Sequence, residues 1–485
     1  MERKRSRIWY IVTGVIVVAL IAVLWVRYAG TQKLIRDLDS RKPKVQAYAA
    51  RQLLEHRVLE DSLPAQPEER RAHAAAALAL VARDAPQELR KAAMTQLIAL
   101  IKDPEDLPQR AASRAMGGLG AISISYLLPV LQEGDDRAKE AAVNAFAMIG
   151  APAVPKLTKA LYNKDRREQA AIALGKIRGR GIAPLLVAER SKDKDLRKIA
   201  IKVLGDVRDR RAVPAAIAAL RYPGLRRTAI IALGLIADPT AAPNIIPYLK
   251  DPNLRIDTAT ALGSMGDVRA VGPLLTELRD PERQFHDRAV WALQRIGRPA
   301  VPQLTAALTS DSVYVRRAAA EGLRFDEAPE SIPALVAALH DADVKARVAA
   351  ASALGWPGNA AAVQPLVATL DDADWRVADA AVGALADVGQ PAVEPLIALL
   401  GSGEVIREQF ASDALVRMSE RPVARLIQAT QSDSPRVREW AAVTLGKLGD
   451  KAAVPRLRQM ASSAKGDEQW AAQQALRRLG VTTTS

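Results

Sequence analysis

Cysteine is absent from the 485-residue sequence, and histidine occurs only four times. Without thiols the chain can form neither disulfides nor thiolate metal sites, and it has no cysteine nucleophile. The histidines lie in no HExxH motif or other metal-ligand spacing, and no glycine loop is suited to cradling a phosphate. The sequence therefore predicts no catalytic, cofactor-binding or metal site, and it argues against an enzyme.

Aromatic residues are also scarce, at 4% of a chain that is 49% hydrophobic, so alanine, leucine and valine must form the core. An alanine-rich segment recurs thirteen times at an average spacing of 30 residues, and the last large apolar residue of each copy is its landmark. A period of this length indicates a solenoid, in which each unit buries its apolar face against its neighbours. The landmarks are Met116, Phe146, Leu174, Leu204, Leu233, Leu262, Leu293, Leu323, Leu354, Leu385, Leu415, Leu445 and Leu476.

Each repeat predicts two helices and no strand. The first helix opens near a proline, as at Pro155 and Pro214, because amides of the first turn lack helical acceptors anyway. An aspartate suited to capping the second helix follows, and a glycine suited to ending it comes after the landmark. The aspartates are Asp251, Asp280, Asp311, Asp341 and Asp433, and the glycines are Gly150, Gly266, Gly297, Gly389, Gly449 and Gly480.

Segments such as AVPQLTAALTSDSVYVRRAAAEGL (300–323) and PRVREWAAVTLGKLGDKAAVPRL (435–457) resemble HEAT repeats, in particular the short type of the phycobilisome lyases. The resemblance implies an all-α fold, an α-solenoid of about 13 stacked helical hairpins over residues 87–480. We expect a linker and irregular capping helices at 27–86 and a disordered tail at 481–485. It also implies that the second helices line the concave surface, where partners bind.

The N-terminus has a different character. Residues 8–26 form an uncharged apolar run flanked by Trp9, Tyr10, Trp25 and Tyr28, which predicts one transmembrane helix. The basic tail 1–7 resists translocation, whereas a long C-terminal domain can be exported. We therefore expect a single-pass protein of a bacterial inner membrane with its solenoid on the extracytoplasmic (periplasmic) side. The cytoplasmic orientation is the alternative.

Seven residues before many landmarks stands a cation, about two helical turns away and so on the landmark's own face. These residues predict a structural ladder that pairs with aspartates in the turns, as HEAT-like families do, rather than a row of phosphate sites. The rungs are Arg167, Arg197, Arg226, Arg255, Arg316, Arg347 and Arg438, with His286 as a variant rung.

Positions six and two before the landmark face away from the core and are the candidate partner-binding residues. They are Lys198, Lys202, Arg227, Trp291, Glu321, Asp379, Asp413 and Trp470. Tryptophan is a frequent binding anchor, although these rings could instead pack on neighbouring repeats. Residues 155–235 hold 20 Lys and Arg against 7 Asp and Glu, whereas residues 236–420 hold 16 against 25. Such opposite signs argue against a continuous nucleic-acid groove.

These patterns predict a membrane-anchored scaffold that docks protein partners, as in a large envelope assembly. The alternative is a cytoplasm-facing binder of nucleic acid or anionic lipid through 155–235. A third, a lyase-like enzyme, rests on the resemblance alone. The oligomeric state stays open.

Overall fold

The computed structural model describes residues 29–279, 283–324 and 327–481, and all regular structure within them is helical. The prediction of an all-α solenoid is confirmed over these residues. The chain divides into two compact units, one ending at Ala232 and the other beginning at Leu233. The predicted basic tail 1–7 and transmembrane helix 8–26 lie outside the described residues, as does most of the predicted tail 481–485.

No single helix within the described ranges is both long and apolar enough to cross a membrane. One pair, Asp106–Gly118 with Gly120–Glu133, satisfies both conditions only when its members are taken together, and it is bent by 120°.

The first unit begins with helical residues 29–37. Helices Pro43–Glu55 and Glu68–Asp84 follow, with the short helix Leu59–Ser62 between them, and Glu68–Asp84 packs on the next two helices. This segment, for which we expect a linker and irregular capping helices, contains a helical pair that packs on the first hairpin. The hairpins after it are Gln87–Ile101 with Asp106–Gly118, Ile124–Glu133 with Asp136–Ile149, Val154–Leu161 with Arg167–Ile177, Gly179–Ala188 with Lys194–Val207, and Val213–Ala219 with Pro223–Ile236.

The second unit continues the same pattern, with a short first helix and a longer second helix in most hairpins. Its first hairpin opens with Ala242–Ile245, continued as the 3-10 helix Ile246–Lys250, and closes with Arg255–Met265. The others are Val271–Glu277 with Arg283–Ile296, Val301–Ala307 with Val313–Leu323, Ile332–Ala338 with Val344–Leu354, Val363–Thr369 with Trp375–Val388, Gln390–Leu399 with Val405–Arg417, Val423–Ala429 with Pro435–Leu448, and Val454–Ser463 with Asp467–Arg478.

The landmark residues lie at the centre of the core. All thirteen are buried, and none has more than 2% of its surface exposed. The glycines expected to end second helices do so in a positive-φ conformation, from 65° at Gly266 to 76° at Gly389. Only a residue without a β-carbon adopts this conformation freely, so the glycine sets where the chain turns back.

A second set of glycines lets adjacent second helices approach closely. Gly205, Gly263, Gly355 and Gly446 each follow a landmark directly. A β-carbon added at any of them would lie 2.6–2.7 Å from the Cα atom of an alanine in the next second helix. Those alanines are Ala232, Ala292, Ala384 and Ala475. The Leu-Gly pair at these positions therefore indicates a backbone-to-backbone contact between hairpins.

Two of the aspartates expected to cap second helices, Asp341 and Asp433, lie too early in the sequence for that role, and Asp280 lies outside the described residues. The side chain of Asp343, not Asp341, caps the helix Val344–Leu354 by accepting the Ala346 amide. Asp341 instead accepts the amide of Asp343, two residues on, which closes the turn. Ser434 likewise caps its helix in place of Asp433. The Asp341 carboxylate is thus free to pair with the ladder residue Arg316.

Candidate partner-binding surface

In the second unit, the ladder residues Arg316 and Arg347 each join their own hairpin to the next one. Nε and Nη2 of Arg316 donate to Asp341 at 2.6 and 2.9 Å, and those of Arg347 donate to Asp372 at 2.7 and 2.9 Å. Each aspartate lies in the turn of the following hairpin. The remaining Nη1 donates to a carbonyl oxygen six residues earlier, that of Ser310 or Asp341, in the turn that follows the same hairpin's first helix. One guanidinium therefore holds three elements together.

Other rungs use parts of this arrangement. Arg438 pairs with Glu468 at 2.7 and 2.9 Å and donates to the Ser432 carbonyl. In the first unit, Nη1 of Arg167 lies 2.9 Å from Asp193. Arg197 donates to the Ser191 carbonyl and stacks on the ring of Tyr222 at 4.4 Å. Arg226 donates to the Leu220 carbonyl, and Arg255 lies 5.2 Å from the centre of the Phe285 ring. These contacts engage the guanidinium groups inside the stack.

Four slots of the second unit depart from the ladder, at His286, Ala378, Glu408 and Gln469. His286 is 5% exposed, and its Nε2 lies 3.0 Å from the carboxylate of Glu321. Ala378 has no side chain that can pair. Glu408 reverses the polarity, because its fully buried carboxylate accepts the Gly403 amide and pairs with Arg436 of the next hairpin at 2.8 Å.

The candidate residues of the first unit lie on exposed positions of second helices. Lys198, Lys202 and Arg227 are all exposed. The Nζ atom of Lys202 is 3.8 Å from Glu168 on the preceding second helix, and both side chains are more than half exposed. Such an exposed pair contributes little stability, so Lys202 could exchange this contact for one with an anionic partner at little cost to the fold.

The candidates of the second unit divide into packed and exposed side chains. Trp291 is half-buried, with its ring edge against Gly263 of the preceding second helix and the Arg288 guanidinium 5.4 Å from its centre. Asp379 and Asp413 pair with Arg417 and Lys447 of the following hairpin at 2.8 and 2.9 Å. Trp470, in contrast, is 60% exposed.

Glu321 lies in a groove across four successive second helices, with a volume of about 720 Å³. Its lining includes Tyr314, Arg317, Lys345 and Arg376, along with His286 and Asp287. Arg317 donates to Glu321 at 2.8 Å from the side opposite His286. Burial alone would raise the pKa of Glu321, but the hydrogen bonds from His286 and Arg317 lower it below its ordinary value. The Glu321 carboxylate is therefore ionised and locally compensated at neutral pH.

Sequence reasoning missed one row of this surface. Tyr314, Lys345, Arg376 and Ile406 each stand nine residues before their landmark. On a helix this position lies one turn from the position six before, so it extends the same face. We define the second-helix face as the positions nine, six and two before each landmark. Extending the pattern by one turn would have found the row, whose member Ile406 is 71% exposed. Trp375, which directly precedes Arg376 of this row, is also 71% exposed.

The described residues contain no group of three or more His, Asp or Glu side chains that could hold a metal ion. Acidic side chains of the second-helix face instead pair with cations of a neighbouring hairpin, as Asp379 does with Arg417 and Asp413 does with Lys447. This chemistry suits recognition of charged and aromatic groups on a partner.

Solved structures with a similar fold are large helical proteins. The match to Kap121p covers 92% of this chain and 56% of the Kap121p chain, at 13% identity and a TM-score of 0.46. Importin beta matches 93% with 72% of its own, at 15% identity and a TM-score of 0.39. Kap95 from the Kap95:Nup1 complex matches 93% with 77% of its own, at 12% identity and a TM-score of 0.42. The chain thus spans little more than half the length of Kap121p, and the likeness concerns the fold alone.

No curated protein matches the sequence. The family model for HEAT repeats matches residues 93–175, 182–253, 216–282, 271–344, 332–412 and 409–477. The model describes HEAT repeats in general and does not single out the short phycobilisome-lyase type. Together its matches cover most of the chain and coincide with the helical hairpins. The chain therefore belongs to the HEAT-repeat family.

Proposed function

We propose that this protein is a membrane-anchored scaffold that docks protein partners on the second-helix face of its HEAT hairpins. The observation that carries the proposal is the exposure of large apolar side chains on that face. Ile406 is 71% exposed and Trp470 60%, in a chain with only 4% aromatic residues. Exposed aromatic and branched side chains beside charged residues are typical of binding anchors.

Site-specific photo-crosslinking tests this proposal directly. A benzophenone amino acid is placed at position 406 or 470 of the full chain, and the control is position 303, an exposed residue of the first helix Val301–Ala307. We expect discrete crosslinked products from 406 and 470 and none from 303. Equal yields from all three positions would reject a face-specific docking surface.

The membrane anchor rests on the sequence of residues 8–26, which is long enough for a spanning helix. We propose an inner-membrane protein with the solenoid outside, because four cations precede the apolar run within seven residues. Alkaline phosphatase fused after Ser485 should then be active, and a fluorescent protein fused there should be dark. The opposite pair of results would place the solenoid in the cytoplasm.

A second function is supported by the basic block at 155–235, where Lys198, Lys202 and Arg227 are exposed. In the cytoplasmic orientation this block would bind nucleic acid or anionic lipid. Replacing the three cations by Glu should then abolish binding to duplex RNA or anionic vesicles, and binding by the unaltered protein should fall steeply with salt. Salt-independent binding would contradict this alternative.

A further inference from the structure

We propose that the groove around Glu321 binds an extended acidic segment of a partner protein, with carboxylates about three residues apart. The groove is lined by Tyr314, Lys345 and Arg376 from three successive hairpins. This inference rests on the proposed docking function of the second-helix face and names the class of segment that one part of the face takes.

The groove carries a positive charge inside an acidic region. Apart from Arg324, which has contacts of its own, three cations line it, Arg317, Lys345 and Arg376, against the two carboxylates of Asp287 and Glu321. Residues 236–420 as a whole hold 16 Lys and Arg against 25 Asp and Glu. A basic groove with acidic surroundings concentrates positive potential at one place, which selects an anionic segment and repels a basic one.

The internal pairing leaves cationic groups for the partner. Glu321 is compensated by His286 and Arg317 within hydrogen-bond distance. Arg376 pairs with Asp374 at the helix start, where the guanidinium side chain is still 52% exposed. Lys345 is exposed, and no carboxylate of the described residues lies within ion-pair distance of it. Its ammonium group is therefore the first contact that an incoming carboxylate would make.

The spacing of the row favours an extended segment over a compact anion. Tyr314, Lys345 and Arg376 each stand nine residues before their landmarks and so recur once per hairpin. Adjacent packed helices lie about 8–10 Å apart, and an extended peptide rises about 3.3 Å per residue. One hairpin therefore corresponds to about three residues of the segment. The exposed ring of Tyr314 and the half-buried Val348 offer an apolar surface to the side chains between the carboxylates.

Fluorescence anisotropy with the full chain tests this inference. The probe is a fluorescein-labelled twelve-residue peptide with Glu at every third position and Leu or Ser between, and its counterpart carries Lys in place of Glu. We expect the Glu peptide to bind and the Lys peptide not to bind. Lys345→Glu should weaken binding at least tenfold, and Tyr314→Ala should weaken it several-fold.

The matched control is Lys250→Glu, the same charge change at an exposed position of the same unit outside the groove. It should change the affinity less than twofold. Equal effects of Lys250→Glu and Lys345→Glu would overturn the inference, because they would show a diffuse charge effect. Full displacement of the peptide by millimolar inorganic phosphate would overturn it as well, since the groove would then bind only small anions.

The crosslinking experiment separates this inference from the docking function. Absence of peptide binding, together with face-specific crosslinks at 406 and 470, would refute the acidic segment and leave the scaffold intact. Absence of both would refute the scaffold itself.

Discussion

Replacing Gly446 by alanine should destabilise the protein, although the same replacement stabilises most helices. A β-carbon at Gly446 would lie 2.7 Å from the Cα atom and 2.8 Å from the Cβ atom of Ala475. Carbon atoms in contact prefer a separation of about 3.5–4.0 Å, so the two second helices would have to move apart. Because the nearest atom belongs to the backbone, no side-chain rotation can relieve the overlap.

The magnitude follows from two opposing effects. Forcing an extra methyl group into a packed interface costs about 1–3 kcal/mol. Replacing glycine by alanine within a helix contributes about 1 kcal/mol in the other direction. The net effect expected for Gly446→Ala is a loss of about 1 kcal/mol in the free energy of unfolding.

Gly383 provides the matched control. It lies inside the helix Trp375–Val388, and a β-carbon there would meet no atom within 4 Å. Gly383→Ala should therefore raise the free energy of unfolding by about 1 kcal/mol. Urea unfolding followed by circular dichroism measures both variants, and hydrogen exchange of the helices Pro435–Leu448 and Asp467–Arg478 localises the effect. Stabilisation by both variants would refute the close-approach argument.

Three further outcomes follow from the ladder and the exposed face. Arg347→Lys should lower the free energy of unfolding by about 1–3 kcal/mol, because lysine cannot reproduce the bidentate pair with Asp372. Arg376→Lys, which alters an exposed pair, should change the free energy of unfolding by less than about 0.5 kcal/mol in the same urea titration. The Arg347 guanidinium lowers the pKa of Asp372 below its ordinary value of 3.8. The stabilisation from this pair is therefore present above about pH 4 and is lost as the pH falls towards the pKa of Asp372 in the folded protein. In acid unfolding, Arg347→Gln should lose less stability below pH 4 than the unaltered protein does, and unchanged slopes would contradict the pairing. Trp470→Ala should leave the melting temperature nearly unchanged, whereas Leu476→Ala should lower the free energy of unfolding by about 2–5 kcal/mol. If calorimetry ranks the two variants in the opposite order, the assignment of Trp470 to the exposed face and of Leu476 to the core is wrong.

The repeat period predicted the core well because burial repeats with the period. The landmark of every hairpin is buried, since each second helix meets its neighbours in the same way. The glycine that follows Leu445 was read only as part of a motif, although the structure gives it a steric role against Ala475. Such a contact joins residues about 30 positions apart, and a single hairpin's sequence contains no signal for it.

The groove was only partly predictable from the sequence. The offset of two residues before the landmark predicts Glu321. Tyr314 and Lys345 stand nine residues before their landmarks, one helical turn beyond the predicted offset of six. The role of Asp341 was also misjudged, because a capping preference cannot tell which of two aspartates two residues apart takes the cap. The pairing with Arg316 from the previous hairpin decides that choice.

The interrupted ladder determines where the second unit should open first. Arg316 and Arg347 each link their hairpin to the next one by pairing with Asp341 and Asp372, whose side chains are only 7% and 13% exposed. At the next slot Ala378 makes no such link, and the helix Trp375–Val388 meets the following hairpin through ion pairs that include Arg417 with Asp379, both 48% exposed. In a one-dimensional array, stability is approximately the sum of the intrinsic stabilities of the repeats and the interactions between neighbours. We therefore expect the interface after Val388 to open at a lower free energy than the interfaces joined by Arg316 and Arg347, so that a bound partner that strains the array would separate it there first.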